Sequence, residues 1–314
     1  MNILARPATL DDLAIIQEIA NENLLSFNPE EKKLGEMEAR EFIHGFADPA
    51  VTRLTKFEDD QEWQSFLTLN PDFSRSRFYL DIYTRPTSKI LPQTLDLALE
   101  IAKAGSPEFQ LWLGVQSKDL AYKELLESKG FSILRKYWTM QMNLGNVESG
   151  HKSTGSIREI NLDNSEDLRS FYEVNQDSFS KHFGFMPRPY ENWCEIVLRH
   201  RQELNTRVWL LTIDGQDVGF LDCDDSLIHE ECGYVSGLGV RLGFHGNGHG
   251  ESLLRHAIQI NSNLGRRKLC LNVDAGNESG ALRLYEKVGM SPISEWHQYE
   301  NINWSKSAQL INSL

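Results

Sequence analysis

Tyr234-Val235-Ser236-Gly237-Leu238-Gly239-Val240 is followed by Arg241-Leu242-Gly243-Phe244, then by His245-Gly246-Asn247-Gly248-His249-Gly250, and runs into Glu251-Ser252-Leu253-Leu254-Arg255-His256-Ala257. The first block reads as a strand and the last as the start of a helix. Glycines at 246, 248 and 250 let backbone amides turn inward without Cβ obstruction. The helix that follows adds unpaired amide donors and the positive end of its dipole. The junction is therefore read as an anion cradle, suited to a pyrophosphate. No Gly-Lys-Ser/Thr follows, which disfavours a P-loop. A dinucleotide-binding fold would want an acid at the end of the next strand, and Asp274 can fill that role, so the loop alone leaves this alternative open.

The segment beginning at Asp274 discriminates between the two: Asp274-Ala275-Gly276-Asn277-Glu278-Ser279-Gly280-Ala281-Leu282-Arg283-Leu284-Tyr285-Glu286-Lys287-Val288-Gly289-Met290. In order and spacing, the loop and this segment resemble two motifs of the GNAT superfamily of acyltransferases, Arg/Gln-x-x-Gly-x-Gly/Ala and Asn-x-x-(x)-Ala-x-x-Leu-Tyr-x-x-x-Gly-Phe. His245 stands where Arg or Gln is usual, and Met290 replaces Phe. The resemblance spans residues 207–296. It implies two splayed central strands with acetyl-CoA (coenzyme A) as co-substrate between them and no metal. Leu238, Gly239 and Val240 would face the pantetheine and thioester, and His245, Gly246, Asn247, Gly248, His249 and Gly250 the pyrophosphate. Asn277 would contact the cofactor, and Tyr285 would protonate the leaving thiolate. Without the resemblance, Tyr285 reads as a helix residue packed on the sheet and Asn277 as a helix N-cap.

Working outward, the same pattern occurs twice. Arg6-Pro7-Ala8-Thr9-Leu10-Asp11-Asp12-Leu13 leads into an apolar-periodic helix, as Arg158-Glu159-Ile160-Asn161 through Asp167-Leu168 does in the second half. Phe78-Tyr79-Leu80-Asp81-Ile82-Tyr83, Leu111-Trp112-Leu113-Gly114-Val115 and Lys129-Gly130-Phe131 then match residues 234–240, 269–273 and Val288-Gly289-Met290. The expected fold is α/β (α+β): two tandem GNAT-like domains, each a mixed central sheet flanked by helices. The polar, glycine-bearing stretch 143–155 is read as the linker, which places a degenerate domain at 1–150 and a catalytic domain at 151–314. Laying Ile82 on Val240 puts Ser88, Ile90 and Pro92 at the positions of Gly246, Gly248 and Gly250. Leu126 falls at Tyr285, and Lys118 or Asp119 falls near Asn277. The first half is thus expected to have lost the cofactor site.

Attack by an amine requires a base or water chain. Glu230, Glu231, Asp222, Asp224 and His182 are candidates, with Glu231 and His182 placed first. The aromatic-rich stretch 177–193 suggests a wall of the acceptor pocket or packing between domains. Forty-five acidic against 32 basic residues give a net charge of -13, which argues against nucleic acid and anionic membranes as partners. No signal peptide or spanning run is read, so a cytoplasmic location is expected. The four cysteines show no metal-ligand spacing and read as reduced core thiols. A monomer whose halves imitate a dimer is expected. The expected activity is N-acetyl transfer to a primary amine of a small molecule. Alternatives are a non-catalytic acyl-CoA-binding module, a peptide N-acetyltransferase, or an activity like that of mycothiol synthase, a tandem GNAT protein similar in length, repeat plan and C-terminal motifs.

Overall fold

Apolar residues at alternate positions in the strands, and at every third or fourth in the helices, set the order of elements. The computed structural model of the protein describes residues 2–29, 33–45, 49–145, 153–276 and 280–301. The first half contains β1 (Ile3–Pro7), α1 (Leu13–Phe27), α2 (Glu36–His44), β2 (Val51–Phe57), β3 (Ser65–Asp72), β4 (Arg77–Thr84), α3 (Leu91–Gly105), β5 (Gln110–Gln116) and α4 (Leu120–Ser128). β6 (Ser132–Asn143) leads to β7 (Ser156–Glu159), α5 (Ser165–Phe179), α6 (Tyr190–Leu204), β8 (Arg207–Ile213), β9 (Gln216–Asp224) and β10 (Cys232–Val240). The chain continues through α7 (His249–Asn263), β11 (Lys268–Asp274), α8 (Ala281–Lys287) and β12 (Ser291–Glu300).

The chain divides into two compact units: unit 1 holds residues 1–137 and 294–314, and unit 2 holds 138–293. The compact units part within β6 and β12. The boundary expected near 150 falls among residues 146–152, most of the expected linker, which lie outside the described residues.

In unit 1 the strand order is β1-β2-β3-β4-β5-β12. Its pairs are antiparallel except for parallel β4 and β5. In unit 2 the order is β6-β11-β10-β9-β8-β7, with β10 and β11 parallel and the β7–β10 neighbours antiparallel. Helices cover both faces of each sheet. Val208, Leu210 and Phe220 pack with Phe171 and Val174 of α5. Trp209, Leu211 and Leu221 point the other way, into a core with Leu253, Leu254, Ala257 and Ile258 of α7. In unit 1, α3 covers Leu67, Leu69, Phe78, Leu80 and Ile82, while α1 and α2 cover Leu54, Phe66 and Tyr83. These are mixed sheets flanked by helices, of the expected class.

None of the four cysteines forms a disulfide; Cys232 and Cys270 bring their sulfurs within 3.1 Å inside the sheet. No helix among the described residues is long and apolar enough to cross a membrane.

α7 lies so close to β10 that a Cβ on Gly233 would stand 1.9 Å from Asn261 Oδ1, on a side chain held by its bond to the Ala257 carbonyl at 2.9 Å. Gly233→Ala should therefore lower stability by about 1–3 kcal/mol, the usual range for overpacking. Chemical denaturation of the full chain measures this, and an unchanged midpoint would contradict the close approach.

Candidate active site

β10 pairs with β11 only from Cys232 opposite Lys268 to Val235 opposite Leu271. On its other edge it stays with β9 as far as Val240 opposite Gly219, through a bulge between Val235 and Gly237. A bulge bends and twists its strand. Beyond it, the β11 side of Leu238, Gly239 and Val240 has no ladder partner in β11. Two glycines let neighbouring elements close on this stretch: a Cβ on Gly239 would meet Phe220 of β9 at 2.5 Å and Ser178 of α5 at 2.7 Å, and one on Gly237 would meet Phe220 at 2.9 Å. Leu238 and Val240 pack on the opposite face with the α7 core.

The strand then turns through Leu242–Phe244 into the glycine loop. Arg241 anchors the turn through its amide to the Val218 carbonyl at 2.8 Å and its Nε to the Asp217 carbonyl at 2.9 Å. His245 Nε2 donates to the Val240 carbonyl at 2.8 Å, tying the loop to the strand end. Gly246 and Gly248 have φ of +83° and +79°, left-handed values that glycine adopts without strain. Nothing lies within 4 Å of a Cβ position on Gly246. Gly248 provides no side-chain cap for α7, so first-turn amides remain available to an anion. Glu251 in that turn does not oppose one, because Lys287 at 2.6 Å and Arg255 at 3.0 Å engage its carboxylate and hold its pKa below the ordinary value. The His249 ring is buried, with Nδ1 2.7 Å from Thr154 Oγ1, and burial lowers its pKa. The ring is thus engaged by Thr154, which leaves the backbone amide as the group His249 can offer to an anion. Asn247 caps the turn, its amide 3.4 Å from the carbonyls of Phe244 and His245.

Tyr285 of α8 is 7% exposed in the α7–β11 core, and burial pushes its phenol up to about 12. It holds its proton at neutral pH. Asn277 lies outside the described residues.

A polar group lies across β9, β10, β11 and β6. Ser236 Oγ donates to Asp222 Oδ1 at 3.0 Å, Asn272 Nδ2 to Tyr234 Oη at 3.1 Å, and Thr139 Oγ1 to Asn272 Oδ1 at 2.9 Å. Asp222 faces Gly237 in the register, at the bulge where β10 leaves β11. Burial pushes its carboxyl up to about 7; the Ser236 bond opposes this and the charge of Asp224 adds to it. Neither aspartate has a cationic side chain at ion-pair distance among the described residues.

The expected base Glu231 is not brought here. It takes φ +53° after a 3-10 turn and pairs with Arg267 at 3.0 Å. At about 3.3 Å per residue along the strand, it is roughly 20 Å from Gly237. His182 is nearer. Its charge couples to Asp274 and His245, its ring lies edge-on to Phe179 at 4.6 Å, and burial lowers its pKa below the ordinary value. Of the aromatic stretch, Trp193 packs on Phe171 and Tyr172 Oη donates to the Arg188 carbonyl at 2.7 Å, while Phe183 and Met186 stay exposed. Ser236, Tyr234, Asn272 and Thr139 were not among the candidate site residues read from the sequence. The available signal was the alternation of Asp222 and Asp224 with Leu221 and Cys223, which marks one polar face on a buried strand.

Residues 168–290 match the family model of the Acetyltransferase (GNAT) family. A search of curated proteins finds no match. Among solved structures, the chain is similar to a GCN5-related N-acetyltransferase from Sphaerobacter thermophilus, with a TM-score of 0.75, 18% identity and 95% of each chain covered. It is also similar to a tandem GNAT protein from the clavulanic acid biosynthesis pathway, with a TM-score of 0.71, 12% identity and coverage of 95% of this chain and 98% of that one. A GNAT-family acetyltransferase from Colwellia psychrerythraea aligns with a TM-score of 0.62 at 16% identity, over 96% of this chain and 100% of the other. At such identities these likenesses show a shared fold. Residues 168–290, which hold the split strands and the glycine loop, are thus the part of the chain that matches the GNAT acetyltransferase family model.

Proposed function

We propose that unit 2 transfers an acetyl group from acetyl-CoA to a primary amine of a small molecule by direct attack in a ternary complex. The observation that carries this reading is the parting of β10 from β11 after Val235 and Leu271, with the open backbone at Gly246 and the uncapped first turn of α7 at its end. The residues fit the cofactor: the freed edge of Leu238–Gly239–Val240 suits an extended amide-bearing arm, and the α7 N-terminus suits a pyrophosphate. When bound, acetyl-CoA supplies an activated acyl group.

The chain's own groups hold and move protons. Tyr285, protonated at neutral pH, can donate to a leaving thiolate. Asp222, rather than Glu231, is assigned as the base, because its raised pKa near 7 and its place opposite Gly237 match the task. His182 is the second candidate. Unit 1 is assigned no donor site. Ile90 is fully buried where the cradle would open, Pro92 enters the first turn of α3, and the loop closes on itself through the Ser88 amide to the Arg85 carbonyl at 2.9 Å.

Acetyl-CoA should raise the melting temperature of the full chain, and Gly248→Pro, which removes a donor and forbids the left-handed φ, should abolish that rise. No stabilisation of the parent would reject the donor assignment. Tyr285→Phe should lower kcat roughly a hundredfold with little change in acetyl-CoA affinity; equal turnover would remove Tyr285 from the chemistry.

Ionised Asp222 is the active form, so kcat/KM should rise with pH through about 7, and Asp222→Asn should lose both rate and this limb. Stability runs the other way. The folded pKa is raised, so the stability linked to the neutral form is present at low pH and lost as pH climbs through about 7. Asp222→Asn should therefore gain melting temperature over the parent most clearly above that pH. Parallel pH–stability curves would contradict the burial of this carboxyl.

A further inference from the structure

Unit 1 repeats the polar sheet face with different chemistry. The β3–β4 register sets Asn70 opposite Tyr79 and Asp72 opposite Arg77, and β4–β5 sets Tyr79 opposite Trp112. In unit 2, Asp222 faces Gly237 and Asp224 faces Tyr234. Asn70 therefore stands where the repeat has Asp222, and Arg77 stands where it has Tyr234. The proposed base has become a neutral amide, and the phenol has become a fixed cation.

Several groups on this face lack partners. Arg77 is 5% exposed, and no carboxylate lies at ion-pair distance from it among the described residues. Its guanidinium stacks 3.8 Å from the centroid of a Trp112 ring, its Nη1 reaches Tyr79 Oη only at 3.4 Å, and its Nε has no hydrogen-bond partner. Asp72 across the ladder is engaged by Ser74 at 2.6 Å and Arg75 at 3.5 Å. Asn70 is 1% exposed, with neither Oδ1 nor Nδ2 bonded. Burying an arginine without a counter-ion and an amide without partners is costly, and a ligand carboxylate would accept from both the guanidinium and the Asn70 Nδ2. Diagonal neighbours across two strands are about 7–8 Å apart, so Asn70 and Arg77 can close on one small anion.

Further along β4, half-buried Asp81 brings Oδ1 to 3.6 Å from a Cβ position on Gly114, where the β4–β5 pairing has ended after Leu80 and Leu113. The hydroxyl of Tyr122, a residue 3% exposed, also lacks a partner. This end calls for a hydrogen-bond donor on the ligand. Tyr79 and Asp81 are both partly accessible, which leaves the face open to a small molecule.

We propose that the face of β3, β4 and β5 carrying Asn70, Arg77, Tyr79 and Asp81 is a second, non-catalytic binding site for a small carboxylate with a donor group at its far end. Arg77 and Asn70 hold the carboxylate over Trp112, and Asp81 accepts from the donor. No base stands at the position of Asp222, so the site binds without transferring an acyl group.

Calorimetric titration of the full chain with γ-hydroxybutyrate tests this, since that probe has no amine and cannot serve as an acceptor in unit 2. Saturable binding is expected, with propanol and inorganic phosphate each binding at least about tenfold more weakly. Arg77→Leu should weaken the probe by about tenfold or more. Asn70→Asp, which supplies the missing carboxylate from the chain itself, should abolish probe binding while keeping the melting temperature and the acetyl-CoA response. Absence of probe binding, equal binding of propanol or phosphate, or an Asn70→Asp variant that binds as the parent does would each overturn the assignment.

Discussion

The structure turns on where two parallel strands stop sharing hydrogen bonds. β10 and β11 are joined as far as Val235 and Leu271, and the bulge that follows sends β10 away while β9 keeps hold of its other edge. A strand normally has both edges paired or exposed to water. Here the edge of residues 238–240 is freed inside a folded unit and leads straight to the glycine loop and the unpaired first turn of α7. Gly239 lets Ser178 of α5 press on this stretch, and Gly237 lets Phe220 and Asp222 of β9 approach it closely.

Electrostatics around the split are graded. At the loop, Glu251 is neutralised by Lys287 and Arg255, which leaves the helix N-terminus available to an anion. At the bulge, Asp222 has no such partner and sits in a desolvated place that lifts its pKa toward neutrality. Tyr285, deeper in the core, is held protonated. A group that takes a proton at neutral pH and one that keeps its proton are thus provided mainly by burial, to which the charge of Asp224 adds at Asp222.

Unit 1 shows how the same scaffold changes its use. Its sheet also parts after Leu80 and Leu113, yet Ile90 and Pro92 close the loop and Asp81 enters the region of the split. The polar face changes from aspartates and a phenol to an amide and an arginine. The backbone plan survived, while the side chains that would define its ligand diverged.

By itself, the sequence determined the class of fold and the family that its second half resembles. The glycine loop at 245–250, the segment ending at Gly289 and the repeated strand and helix order were all legible, because backbone freedom and apolar periodicity are local properties. The loss of the cradle at Ser88, Ile90 and Pro92 was legible for the same reason. Which carboxylate could serve as a base was not. Glu231 and Asp222 look alike in the sequence, and only the register of β9 on β10, with the salt bridge from Arg267, separates them. Ser236, Asn272 and Thr139 come from strands far apart in the chain and meet only through lateral pairing. Only the tertiary structure brings β12 beside β5, through ladder hydrogen bonds formed across a long sequence separation, and so sets residues 294–314 in the same compact unit as the first half.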